Sequence, residues 1–328
     1  MADRLHRGGH RRVHAAGRAE AGLMAEGRIS VVMVTWRTGP HLTEAVEAVL
    51  AAPDVDEFIL VNHENPPEVL AALQERAREH PKMTLIETGA NLGFSKGCNI
   101  GARAATGDYL FFLNPDAVLP GGLARRLVET GETAQRPWLV GARLLDKNGK
   151  EQRGARRGLL TPWTAMVGFL GLHRLEPVFG RAFHDIHRER DPVPPGPIRI
   201  DVTSGAAMMM RRDDYEALGG FDERYFLHVE DIDLCRRVLQ AGGHVLFEPR
   251  AELLHYGSTS EASLFRVEWN KAHGFRRYFW KFYARFPQRL LTLLAIPVIY
   301  GLVVARSVYI WVRGWIDGWY RRIRKLDA

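Results

Sequence analysis

The stretch Asn91–Leu119, NLGFSKGCNIGARAATGDYLFFLNPDAVL, constrains this chain more than any other. A glycine-bearing loop (Asn91, Gly93, Gly97) leads into a helix of small residues, expected from about Lys96 to Ala105 and ended by Thr106-Gly107. Asp108 to Leu113 then reads as a buried strand. It delivers Asn114-Pro115-Asp116 at its carboxyl end, where open α/β sheets bind their ligands. Pro115 has no N–H, so pairing should stop there and the Asp116 carboxylate can face a crevice. A carboxylate so placed suits Mg²⁺ or Mn²⁺, which prefer oxygen donors and also take substrate phosphates. On its own, Asn-Pro-Asp is equally at home as a helix cap or a turn.

The residues before this stretch set the fold class. Ile29 to Thr35 is a continuous β-branched run, as expected of a strand buried on both faces. Gly39-Pro40 opens an amphipathic helix to about Leu50, and Phe58 to Val61 reads as a second buried strand. Pro66-Pro67 starts a helix to about His80, and Met83 to Ile86 reads as a third strand. Such alternation predicts a mostly parallel, Rossmann-like α/β sheet. The GxGxxG fingerprint is missing after the first strand, which counts against a dinucleotide enzyme.

A second acidic group follows at His228-Val229-Glu230-Asp231-Ile232-Asp233. Leu234, Cys235, Val238 and Leu239 give one apolar helical face, and Gly242-Gly243 ends the helix, so Glu230 and Asp231 sit at its start. Acids there can simply complement the helix dipole, at about 0.3–1 kcal/mol each. They can also supply the proton acceptor that a hydroxyl nucleophile requires.

Taken together, NLGF, Asn99, the ATGDY turn, LNPD and the Glu-Asp pair resemble the inverting family 2 glycosyltransferases of GT-A fold. The rhamnosyltransferase-like branch is the nearest match, over about Ile29 to Tyr256. The resemblance implies that Asp116 holds a Mg²⁺ or Mn²⁺ ion under a nucleoside diphosphate sugar, dTDP-rhamnose or a UDP-sugar. Asn114 stands where the family often has an aspartate. The resemblance further implies that Thr35, Asn62, Asn91, Gly93, Lys96, Asn99, Asn114 and Gly205 line the nucleotide-sugar site. It makes Asp231 the general base, with Glu230 touching sugar hydroxyls. His255, which ends the apolar run Leu253-Leu254, is commonly a structural position. In related enzymes, a histidine there completes the metal or diphosphate site. The second strand departs from the family, ending Asn62-His63-Glu64-Asn65 in place of Asp-Asn-x-Ser, which leaves the base open. His63 itself is expected to be a solvent-facing loop residue.

Three domains are expected: a disordered basic arm over residues 1–27, a GT-A domain over 28–260 and an aromatic, basic helical extension over 261–328. The arm contains no apolar segment of signal-peptide type, and Met24 is an alternative start. Within the middle domain, Pro120 should start a helix to about Glu129, Trp138 to Leu145 a strand, and Ile200 to Met210 another. His244 to Phe247 reads as a short strand and Glu248-Pro249-Arg250 as a turn. Residues 154–197 lack periodicity; Trp163, Met166, Phe169 and Leu170 there suit an acceptor site, a membrane contact or a small satellite core.

The net charge of +7 gathers at the two ends without a nucleic-acid motif. It therefore fits an anionic membrane surface and a phosphorylated substrate, with no nucleic acid. Two cysteines, Cys98 and Cys235, lack metal-site spacing and fit a reducing cytosol. In the extension, Leu290 to Ala305 is uncharged, short of about 20 residues and expected to break at Pro297. The expected location is the inner face of the cell membrane, peripheral, with a lipid-linked or nascent glycan acceptor and an oligomer possible. A nucleotidyltransferase of sugar phosphates and a non-catalytic membrane scaffold are the alternatives.

Overall fold

The computed structural model describes residues 27–257 and 263–324, so the basic arm expected over 1–27, apart from Gly27, lies outside the described residues. The strands are β1 (Ile29–Thr35), β2 (Glu57–Asn62), β3 (Met83–Glu87), β4 (Tyr109–Leu113), β5 (Ala117–Val118), β6 (Trp138–Leu145), β7 (Arg156–Arg157), β8 (Ile198–Ile200), β9 (Val202–Thr203), β10 (Ala207–Arg211) and β11 (His244–His255). The helices are α1 (His41–Ala51), α2 (Pro67–Glu79), α3 (Phe94–Ala104), α4 (Leu123–Glu132), α5 (Pro162–Phe169), α6 (Glu176–Phe179), α7 (Arg212–Ala217), α8 (Glu230–Gln240), α9 (Leu264–Phe282) and α10 (Gln288–Arg324).

The main sheet runs β3-β2-β1-β4-β10-β6-β11-β5, with β8 beside β11. The pairs β2–β3, β1–β2, β1–β4 and β6–β11 are parallel, and β10 lies antiparallel between β4 and β6. The continuous apolar runs in β1 and β4 are buried at every position, because helices cover both faces of these central strands. Reversal of β10 places the Ser204–Ala206 turn beside the carboxyl end of β4, the strand that carries Asn114 and Asp116.

Three sequence expectations change. The strand expected over Ile200 to Met210 is broken into β9 and β10, and the break is that same turn. The turn expected at Glu248–Arg250 is instead an irregularity inside one twelve-residue strand, β11, whose register against β6 shifts between Glu248 and Glu252. Pro249 cannot donate to a ladder, so the strand bulges there and then resumes. The apolar run of the extension does not break at Pro297, since α10 is one helix of 37 residues with the proline inside it. Its segment Gln288–Ile310 is 23 residues long with a mean hydropathy of 2.0, enough by length and composition to cross a membrane. Ala295, Ile299 and Val303 face the protein, whereas Leu290, Leu294, Val304 and Val308 are exposed.

Residues 154–197 form a small satellite layer. Trp163 donates Nε1–H to the Ala182 carbonyl and meets Phe183 edge-on, and Phe169 packs against Phe275 of α9. Val178 and Phe179 remain exposed.

Candidate active site

Three side chains converge where β4 ends. The β5–β11 pairing sets His255 opposite Ala117, and the Tyr256 amide donates to the Asp116 carbonyl at 3.0 Å. As a result His255 Nε2 lies 3.2 Å from Asp116 Oδ1 and 3.2 Å from Asn114 Nδ2. Gln152 decides the tautomer. Its Nε2 donates to the His255 carbonyl, which turns its Oε1 toward His255 Nδ1 at 2.7 Å. The imidazole proton then sits on Nδ1, and the Nε2 lone pair faces the Asp116 carboxylate. That lone pair also accepts from Asn114 Nδ2, and beside the Asp116 carboxylate it offers a second donor atom to a cation. The Asp116 carboxylate suits either Mn²⁺ or Mg²⁺, and the imidazole nitrogen favours Mn²⁺ of the two, so the residues fit the expected ion. Among the described residues no group of three His, Cys, Asp or Glu gathers anywhere, so phosphate and water oxygens must complete any coordination here.

The second group lies at the start of α8. Asp231 Oδ2 accepts from Arg157 Nη2 at 2.6 Å and from the Gly205 amide at 3.1 Å, and Oδ1 accepts from the Ile232 amide at 2.8 Å. Burial alone would raise this carboxyl, but Arg157 and the amide bonds outweigh it and hold it below the usual carboxylate range. Glu230 differs. Burial first, then the Asp231 charge, push it up to about 8, and its buried Oε2 has no hydrogen-bond partner among the described residues. Asp233 is fully buried and bound by Tyr225, Arg237 and Lys281, so it serves as a structural clamp.

The chain enters α8 through two residues in the left-handed region, His228 (φ 70°) and Val229 (φ 74°). A β-branched residue rarely adopts that conformation, at a cost of about 1–3 kcal/mol. Helix α9 covers this turn at Gly274, where a Cβ would come within 2.8 Å of Val229 Cγ2 and 3.0 Å of the His228 carbonyl.

The remaining predicted residues divide. Thr35 and Asn62, at the ends of β1 and β2, are both buried and share Asn65, whose Nδ2 donates to Thr35 Oγ1 at 3.1 Å and to Asn62 Oδ1 at 2.7 Å. Asn91 Oδ1 accepts from the Gly93 amide, Gly93 (φ 88°) lets the loop pass the Phe226 backbone, and Lys96 is exposed on the first turn of α3. Asn99 is elsewhere engaged. Its Nδ2 donates to the Phe221 carbonyl and Glu223, and its Oδ1 accepts from the Phe221 amide and the Tyr215 hydroxyl. That amide is a latch between α3 and the turn before α8. His63, expected in solvent, is buried between Thr88 and the Gly93 carbonyl, and burial lowers its pKa. It follows a fully buried strand directly, and α3 covers it at Gly97.

Sequence reasoning missed Gln152, Arg157 and Asn65. The first two lie near or in a segment without periodicity, where nothing local separates them from its other polar residues. Two surface recesses, one lined by Thr130, Glu248 and Arg250 and one by Val46, Leu73 and Arg76, contain none of the site groups.

A sheet of this order, carrying an acidic loop at the end of β4 and an acidic helix start beyond it, has the architecture of a GT-A glycosyltransferase. Two solved structures share the fold: GalNAc-T7 with UDP, GalNAc and Mn²⁺ (TM-score 0.55, 16% identity, 72% of this chain and 45% of that one) and a Pyrobaculum calidifontis mannosyltransferase with GDP-Man and Mn²⁺ (TM-score 0.52, 15% identity, 86% and 75%). The sequence profile "Glycosyl transferase family 2" matches residues 30–219, more than half of the chain, and the chain belongs to that family. It is similar to an N-acetylglucosaminyl-diphospho-decaprenol L-rhamnosyltransferase of Mycobacterium tuberculosis, at 27% identity over 243 residues, covering 71% of this chain and 77% of the relative. It is also similar to the Escherichia coli rhamnosyltransferase WbbL, at 23% identity over 233 residues, covering 68% and 83%. Among the three sequence readings, these findings favour the glycosyltransferase.

Proposed function

We propose that the chain transfers a hexose, with rhamnose as the first candidate, from a nucleoside diphosphate to a hydroxyl of a lipid-linked glycan, with inversion at the anomeric carbon. The observation that carries this reading is the turn Ser204–Ala206. Its Gly205 amide donates to Asp231, and its Ala206 carbonyl accepts from the Asn114 amide at 2.9 Å, so one short turn joins the two carboxylate groups. A donor sugar lying over that turn would have its diphosphate toward Asp116 and His255 and its opposite face toward Asp231.

Asp231 would take the acceptor proton as the hydroxyl oxygen attacks the anomeric carbon and the bond to the diphosphate breaks. The ionised state in which Arg157 and the amides hold it is the state a base requires. Asp116, His255 and Asn114 would hold a divalent ion, whose chemistry is to neutralise charge on the leaving diphosphate. The Thr35, Asn62 and Asn65 cluster would meet the nucleotide base with amide and hydroxyl groups that carry no charge. The relative named for its decaprenol-linked substrate supports a lipid-linked acceptor, and the apolar α10 supports attachment to the membrane, for which we propose the cytoplasmic face.

The test is a panel of nucleotide sugars given to the purified protein with Mn²⁺, following nucleoside diphosphate release and the configuration of the product. One dTDP- or UDP-sugar should be turned over with inversion. Failure to consume any nucleotide sugar would sink the assignment, and retention of configuration would overturn the single displacement.

A further inference from the structure

Around Lys271, and reaching Asp231 through Arg157, the protein assembles basic side chains from four separate segments. Arg157 comes from β7, Arg153 from the loop before it, Lys271 from α9 and Arg306 from α10. Three of them have an acid: Arg157 bonds Asp231 at 2.6 Å, Arg153 meets Asp185 at 3.3 Å, and Arg306 meets Glu268 at 3.2 Å. Lys271 has none. Its ammonium makes no hydrogen bond or ion pair among the described residues, and the acid in its field, Glu268, is already joined to Arg306. Arg157 Nε is likewise buried without a partner. Lys271 is half-buried, and burial together with Arg306, Arg157 and Arg153 lowers its pKa despite Glu268.

Like charges brought together at the part-buried Arg157 and Lys271 raise the free energy of the empty protein and lower that of a complex with an anion, and Arg153 and Arg306, both more than half exposed, leave the group open to one from outside. The position of the group narrows the anion. Arg157 touches the proposed base, so the group begins one side chain from the acceptor hydroxyl. Arg306 stands on the apolar segment of α10, whose exposed leucines and valines lead away from it. Lys271 is one helical turn before Gly274, the residue that packs on the His228–Val229 turn, so it faces the α8 start.

We infer that Lys271, Arg306 and Arg153, with the outer edge of Arg157, form the seat for a diphosphate carried on a lipid, the anionic joint of the acceptor. This rests on the reading of the chain as a transferase acting on lipid-linked acceptors. The lipid tail would run along α10, and the reacting sugar would lie between the diphosphate and Asp231. The phosphate-binding chemistry is the charge-assisted hydrogen bonding that guanidinium and ammonium groups provide.

Binding of farnesyl diphosphate to the full-length protein in neutral detergent tests the seat without requiring turnover. Lys271→Gln and Arg306→Gln should each weaken it at least tenfold, with farnesol binding and Mn²⁺-dependent nucleoside diphosphate binding unchanged. Unchanged affinity for farnesyl diphosphate in both variants overturns the inference. So does a loss confined to vesicles containing phosphatidylglycerol, which would assign the charges to membrane headgroups. If the variants show the expected loss while the wild type transfers no sugar from any donor, the seat stands and the transferase reading falls.

Discussion

The Gly205 amide donates to Asp231 Oδ2 at 3.1 Å, and a Cβ built on Gly205 would lie 3.3 Å from the Asp231 Cβ. The glycine thus serves the carboxylate twice, by giving it a hydrogen bond and by leaving it room. Asp231→Asn keeps the shape and removes the proton acceptor, so transfer should fall by about 10²–10⁴-fold while donor affinity persists. Gly205→Ala presses on the same carboxylate and should lower transfer with a smaller effect on donor binding. Activity of the asparagine variant within a few-fold of wild type would move the base to Glu230, because Asp233 is fully engaged elsewhere.

The Asp116 group makes a graded prediction. Asp116→Ala should abolish Mn²⁺-dependent donor binding in calorimetry, and Asn114→Ala should be milder because an amide compensates little charge. Gln152→Ala leaves every proposed ligand in place but releases the His255 tautomer, and a loss of about 10–100-fold in metal affinity is expected. Undiminished Mn²⁺-dependent binding in the Asp116 variant would remove the metal assignment.

Glu230 gives the protein a pH signature. Its carboxyl is raised from 4.5 to about 8 by burial and by Asp231, so the folded state binds a proton that the unfolded state has released. Stability contributed through this group should be greatest below about pH 4.5, decline as pH rises, and level off above about pH 8. Thermal midpoints of wild type and Glu230→Gln should therefore diverge across that window, with the glutamine variant relatively more stable at the alkaline end. Parallel curves would show that the carboxyl titrates normally.

Deleting residues 287–328 removes α10 and should shift the protein from vesicle-bound to soluble in a flotation assay. Transfer to a lipid-linked acceptor should drop more than donor hydrolysis. A full-length protein that ignores anionic vesicles and needs no detergent would make α10 a packing helix.

Asn99 tests the latch. Replacing it by Ala leaves the Tyr215 hydroxyl without its acceptor and the Phe221 amide with only its bond to that hydroxyl, a change expected to cost about 1–3 kcal/mol in denaturant unfolding. Donor affinity of the folded variant should be near wild type. A selective loss of donor binding without loss of stability would return Asn99 to the nucleotide-sugar site.

Much of this architecture was legible in local pattern. The β-branched run of Ile29–Thr35 and the apolar run through Leu113 specify strands buried on both faces, and Asn114-Pro115-Asp116 marks where pairing stops. The acidic start of α8 could be read from its apolar face and its Gly-Gly end. The partners of the site residues could not be read, because Gln152 reaches His255 across 103 residues, and Gly205 and Arg157 reach Asp231 across 26 and 74. Sheet order brings them together, and no periodicity encodes it. His63 and Pro297 mislead in another way. Each looks local, as a polar residue after a strand and as a helix breaker, yet α3 buries His63 and an exposed Pro297 sits within an unbroken α10.

The left-handed pair His228–Val229, capped by Gly274, has a consequence for how the molecule can be cut. A strained entry to α8 persists only while something presses on it, and here that something is α9, which α10 in turn buttresses where Tyr300 meets Trp269 and His273. The apolar helix α10 and the start of α8 thus share a mechanical joint. A trimmed enzyme ending before Leu264 should bind nucleotide sugar through its intact strand ends yet leave Asp231 unaimed, and its inactivity would say nothing about access to the acceptor.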